Sequence, residues 1–111
     1  MEPTEVVQAQ LEAYNRHDLE AFVSWYAPDA QIRHADGRLL MEGTDAIRAR
    51  YAKLFADHPD VAAVVPTRIE ADGWVVDEER VQLRDRELHV AVGYEVGDDL
   101  IRRVVMMRSD L

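Results

Sequence analysis

Cysteine is absent from the chain. That absence excludes disulfide bonds, thiolate nucleophiles and cysteine-ligated zinc or iron–sulfur sites. Positive charge is scarce: 13 lysine and arginine residues stand against 22 aspartate and glutamate residues, a formal net charge of −9. That balance repels a phosphate backbone and an anionic bilayer surface, so neither nucleic acid nor membrane is an expected partner. No apolar run approaches the roughly 20 residues that cross a bilayer. Met1-Glu2-Pro3-Thr4-Glu5 has neither a basic region nor an apolar run. No signal peptide is read there, and the expected location is cytoplasmic. His34, His58 and His89 lack metal-ligand spacing, and there is no glycine-rich phosphate loop. No metal or cofactor is therefore expected.

What remains is an ordinary folding composition. With 111 residues, 48% apolar and 32% charged, the chain is expected to form a single domain over 1–111. Its first half has helical spacing. Val7, Leu11 and Tyr14 share one face of a helix from about Thr4 to Asn15, with Thr4 as its N-cap. Asp18 caps a second helix whose stripe is Leu19, Phe22, Val23 and Tyr26, and Pro28-Asp29 ends it. Ala30 to His34 alternates as a short strand, and Ala35-Asp36-Gly37-Arg38 is turn chemistry. Gly43-Thr44 opens a third helix with Ile47, Tyr51, Leu54 and Phe55 on one face. Arg48, Arg50 and Lys53 lie mostly off that face, and His58-Pro59 closes the helix.

From Val61 onward the helical period gives way to strands, at about 61–71, 74–84, 87–96 and 100–108. Asp72-Gly73, Asp85-Arg86 and Asp98-Asp99 are the turns between them. If each turn has two residues, the pairs follow: Leu83 with Leu88, Val81 with Val90, Glu79 with Val92, Tyr94 with Arg103 and Val96 with Ile101. One face then carries Val75, Val81, Leu83, Leu88, Val90, Val92, Tyr94, Val96, Ile101, Val105 and Met107, too apolar for solvent. The opposite face mixes Trp74, Val76, Ala91, Val104 and Met106 with charged residues including Glu95, Arg102 and Arg108. With its tryptophan, it is the expected surface of a homodimer.

The same register brings Arg68, Asp77, Glu79 and Arg103 onto the inner face. An unpaired buried charge costs several kcal/mol, so these groups pair with each other or line a wet cavity. One reading is an Arg68–Asp77/Glu79 ion pair that orients strands. The other is a cavity in which one carboxylate has an elevated pKa and works as an acid or base. A register slip by one residue would turn them all outward.

The residues Tyr14-Asn15-Arg16-His17-Asp18-Leu19-Glu20-Ala21-Phe22, then Trp25-Tyr26-Ala27-Pro28-Asp29-Ala30 and Gly43-Thr44-Asp45-Ala46-Ile47, followed only by strands, resemble the SnoaL-like proteins. These belong to the nuclear-transport-factor-two-like superfamily, which includes ketosteroid isomerase. The resemblance implies an α+β fold: three N-terminal helices packed on one face of a strongly curved, mainly antiparallel, cone-shaped (cystatin-like) sheet. The superfamily's varied chemistries leave the reaction open. Matched to ketosteroid isomerase through the Asn15-to-Asp18 turn and Asp29-Ala30, His34 falls where that enzyme has its aspartate base. Gln10 falls where it has its tyrosine, and Val92 about where it has its protonated aspartate. Two of its three catalytic groups are thus replaced, which argues against steroid isomerisation by that mechanism.

The functional expectation is a cavity for a small, largely apolar molecule, with isomerase, dehydratase or hydrolase chemistry by acid and base. His34, Asp77 and Glu79 are the catalytic candidates, and Gln10, Tyr14, Tyr51, Arg68, Tyr94 and Arg103 the ligand-binding ones. His34 at a strand end has a structural reading as well, and each tyrosine an alternative as packed core. The competing function is a binding or dimerisation module whose inner charges are structural.

Overall fold

A computed structural model describes residues 1–108. In chain order it comprises α1 (Pro3–Asn15), α2 (Leu19–Ser24), β1 (Tyr26–His34), β2 (Leu39–Glu42) and α3 (Thr44–Asp57). Four strands follow: β3 (Ala62–Ala71), β4 (Trp74–Gln82), β5 (Glu87–Gly97) and β6 (Leu100–Met107). The strands form one curved sheet in the order β2-β1-β6-β5-β4-β3. The β1–β6 pair is parallel and the rest are antiparallel. The α+β class with three helices on the sheet is as expected. α1 packs across β3 to β6, and α3 covers β1 and β2. Phe22, Ile32, Ile47, Ile101 and Val75 are fully buried between the layers. Each such side chain contributes about 1.5–3 kcal/mol of hydrophobic stabilisation.

The first helix starts earlier than its sequence suggests. Pro3 occupies the first turn, where no N–H is required, and the backbone N–H of Glu2 donates to Glu5 Oε1 at 2.8 Å. The cap is therefore Glu2 and not Thr4. Asp18 does cap α2, accepting from the Ala21 N–H at 3.2 Å. That helix stops at Ser24, because the Trp25 carbonyl accepts from the Ile101 N–H at 2.8 Å and Tyr26 pairs with Ile101. Tyr26 is thus the first residue of β1. Pro28 lies where the β1–β6 ladder is interrupted, between Tyr26 and Gln31, so its missing N–H costs nothing. β2 is a further strand, too short at four residues for its alternation to be read.

The hairpins carry most of the corrections. β3–β4 turns at Asp72-Gly73, with φ of 53° and 80°, and Arg68 lies opposite Asp77 as expected. The β3 ladder is broken between Val64 and Thr67, where Val65-Pro66 bulges opposite Glu79. The β4–β5 loop has four residues (83–86), closed by Leu83 N–H to the Arg86 carbonyl at 2.9 Å. The pairs are consequently Val81–Leu88, Glu79–Val90 and Asp77–Val92. This shift of two leaves every side chain on its expected face.

The β5–β6 turn has two residues, Asp98 and Asp99, with φ of 54° and 61°. A bulge follows it. Val96 pairs with Ile101 but Glu95 pairs with Arg103, so Arg102 is an extra residue in β6. Everything beyond it is turned over. Val104 and Met106 face the helices, and Arg103, Val105 and Met107 face outward.

Candidate active site

The helices and the inner sheet face enclose a cavity of about 490 Å³. Its apolar wall includes Phe22, Met41, Leu54, Val81, Leu83 and Leu88. The aromatic part of that wall is contiguous: Phe22 lies 4.6 Å from Tyr51, 5.2 Å from Tyr26 and 5.9 Å from Tyr14 between ring centroids. Gln10 is buried and lines the cavity; its Oε1 accepts from Tyr26 Oη at 3.1 Å, and its Nε2 donates to the Val7 carbonyl at 3.2 Å. Burial raises the hydroxyl pKa of Tyr14, Tyr26 and Tyr94, and pushes that of Tyr51 up to about 12. All four remain phenols near neutral pH and can donate hydrogen bonds.

Glu79 is the one acidic residue of the described cavity wall. It comes from the middle of β4, opposite the Val65-Pro66 bulge, and only 8% of it is exposed. Tyr94 Oη donates to its Oε2 at 2.8 Å. Desolvation pushes its carboxyl up to about 7, assisted by the nearby Asp77 charge and opposed by the Tyr94 hydrogen bond and by Arg68. A carboxyl so placed exists in both protonation states near neutrality, as proton transfer in either direction requires.

Asp77, two residues earlier on β4, is 1% exposed and does not line the cavity. Arg68 closes on it with two parallel hydrogen bonds, Nε to Oδ1 at 2.7 Å and Nη2 to Oδ2 at 2.9 Å, and reaches Gln8 of α1 at 2.9 Å. The fork fastens α1 to the β3–β4 hairpin. Glu79 is outside it and bonds to Tyr94.

Arg103 is not on the inner face. The Arg102 bulge turns it outward, where it makes two 2.7 Å bonds to Glu95 and sits 5.5 Å from the Trp74 ring centre. Arg103 is thus the cross-strand partner of Glu95. His34 does not reach the cavity either. Its Nδ1 accepts from the Asp36 N–H at 3.0 Å, and its Nε2 meets the Arg108 carbonyl. A carbonyl only accepts, so Nε2 donates to it; Asp36 Oδ1 lies 3.1 Å from Nδ1, and His34 anchors the end of β6. His17 stacks on Phe55 at 4.7 Å and bonds the Val61 carbonyl at 2.7 Å.

The fold thus brings Gln10, Tyr14, Tyr51, Glu79 and Tyr94 to one cavity. It adds Tyr26, Arg50, His58, Arg86 and Arg108, which the sequence reading had not placed there. Two had a legible signal. His58 extends the Ile47, Tyr51, Leu54 stripe by one more turn, and Arg86 is in phase with Leu88 and Val90. Arg108 was hidden by the bulge. His58 Nδ1 is buried with no hydrogen-bond partner among the described residues. No cluster of metal-binding side chains occurs among the described residues.

Residues 7–104 match the SnoaL-like domain family. No curated protein sequence is matched. An uncharacterised cystatin-fold protein from Novosphingobium aromaticivorans superimposes with a TM-score of 0.89 at 26% identity, over 97% of this chain and 99% of that one. A proposed ketosteroid isomerase from Kribbella flavida gives 0.81 at 18% identity, over 95% and 76% of the respective chains. IdmH, a proposed polyketide cyclase from Streptomyces antibioticus, gives 0.81 at 18% identity, over 99% and 94%. At 18% identity these last two likenesses speak to fold alone.

Proposed function

The chain belongs to the SnoaL-like domain family, and from that premise we propose an enzyme that uses Glu79 as general acid and base on a small, largely apolar molecule. The observation that carries this reading is the Glu79 carboxyl itself. It is nearly buried in an apolar and aromatic cavity, hydrogen-bonded by Tyr94, and close to neutral in its proton affinity. A purely structural carboxylate is better served by a guanidinium, which Asp77 has and Glu79 lacks.

The fitting reactions are those in which one group removes and returns a proton: proton abstraction beside a carbonyl, isomerisation, dehydration, or hydrolysis through an activated water. Tyr14 and Tyr51 supply hydroxyl donors for a substrate oxygen, while the Tyr94 hydroxyl is engaged by Glu79. Asp77 acts as a positioning residue, its charge helping to hold Glu79 near neutrality. His34 positions the end of β6. The proposed isomerase and cyclase among the structural neighbours make a carbonyl-bearing substrate the first to try.

The test begins with a thermal-shift panel of steroids, terpenoids, polyketides and small acids, followed by turnover assays on the hits. Glu79→Gln is expected to lower turnover by about 10²–10⁴-fold. The parent rate should rise with pH through about 7 where Glu79 acts as base. A Glu79→Gln variant that binds and turns over a hit like the parent overturns the assignment, and hits that bind without turnover in the parent favour a binding module.

The outer sheet face is the proposed homodimer surface. Ile69, Val76, Gly93 and Val105 are cross-strand neighbours and form an apolar row over β3, β4, β5 and β6. Val76→Glu is expected to weaken self-association in sedimentation velocity, and an unchanged profile removes that surface.

A further inference from the structure

Charge is distributed over this molecule in a way that an apolar cavity does not require. Among the described residues Glu79 is the one carboxylate that lines the cavity, whereas the basic residues contribute Arg50, Arg86 and Arg108, joined by His58. Outside the cavity most arginines are matched with carboxylates, among them Arg48 with Glu20, Arg68 with Asp77, Arg80 with Glu87 and Arg103 with Glu95; Arg33 bonds Gln31 and the Gly37 carbonyl, and the Arg84 guanidinium has no partner among the described residues. The guanidinium groups of Arg50 and Arg86 have no hydrogen-bond or ion-pair partner among the described residues, in a chain with a large surplus of acid.

The three arginines come from separate segments. Arg50 is on α3, Arg86 in the loop between β4 and β5, and Arg108 just beyond β6. Glu79 and Tyr94 are nearly buried, whereas Arg50 and Arg86 are exposed. The cavity therefore has exposed guanidinium groups at its rim and a nearly buried carboxyl and phenol, with Leu54, Leu83 and Leu88 also in its wall. A single solvated arginine would mean nothing. Two guanidinium groups without a partner among the described residues, from two separate segments, line one cavity of an otherwise acidic protein.

We infer that the ligand is an amphipathic organic acid, its carboxylate held at the rim by Arg50 and Arg86 and its apolar body extending toward Tyr94 and Glu79. The guanidinium fork matches a carboxylate with two parallel hydrogen bonds. Placing the acid at the rim also keeps it away from the Glu79 carboxyl. The inference rests on the proposed reading of the cavity as a ligand site and narrows the substrate class.

The probes are naphthylacetate and its neutral counterpart naphthylacetamide, compared by isothermal titration calorimetry on the full chain at neutral pH. The acid is expected to bind about ten-fold or more tightly than the amide, the increment of a charge-assisted contact at a partly exposed rim. Arg50→Gln combined with Arg86→Gln is expected to bring the acid down to the amide's affinity and to leave the amide unchanged. Added salt should weaken the acid alone. Equal affinities for the two probes in the parent, or a preference that survives in the double variant, overturn the carboxylate rim while leaving the cavity a ligand site. If neither probe binds, the reading of the cavity falls and the inference falls with it.

Discussion

Two carboxylates two residues apart on one strand differ in everything but chemistry. Asp77 is clasped by Arg68, whereas Glu79 meets only a phenol. The difference has a measurable sign. The Glu79 carboxyl stands at about 7 in the fold against an ordinary value of 4.5. Between those values the unfolded chain gives up its proton first, so folding stability falls as pH rises across the window and levels off above 7. Glu79→Gln removes that loss, so the variant is expected to gain on the parent between pH 5 and pH 8, by at most about 3 kcal/mol. Urea titrations at the two pH values measure it, and a variant-to-parent difference that is constant with pH contradicts the burial argument. Arg68→Met has the opposite logic. It leaves the Asp77 carboxylate buried and unmatched, and is expected to cost about 3 kcal/mol. Adding Asp77→Leu should recover most of that loss, because the two methyl-rich chains no longer strand a charge.

Individual elements show why some of this fold is legible in sequence and some is not. Asp18 announces the start of α2 because a side-chain oxygen three residues before a waiting N–H has one geometric use. Asp18→Ala is expected to cost about 1 kcal/mol by urea denaturation. Asp72-Gly73 is equally transparent, since both residues take positive φ there. The inward placement of Glu79 and Tyr94 was legible for a different reason: strand alternation has a period of two, so the longer β4–β5 loop moved partners without turning faces. Arg103, Val104, Met106 and Arg108 were not legible. One extra residue at Arg102 inverts the phase of the rest of β6, and no local composition marks it. Tyr26 was misread for a related reason. Its helical spacing from Phe22 is real, yet the ladder to Ile101 prevails over it.

For the molecule as a whole, the acidic surplus and the cationic cavity rim have to be considered together. A net charge of −9 keeps copies of the chain apart at long range, so any association through the outer sheet face must come from short-range apolar contact. Dimerisation by that face is expected to strengthen as salt screens the repulsion, which sedimentation at low and moderate ionic strength will show. The parallel pairing of β1 with β6 has a consequence of another kind, for the chain during its synthesis. Tyr26 finds its neighbour in Ile101 and Ile32 in Val104, so β1 has only β2 beside it until the last strand is made. Such distant pairing is slow to form. A ribosome-tethered chain is therefore expected to stay sensitive to protease until residues 100–107 have cleared the exit tunnel, and then to become resistant in a single step.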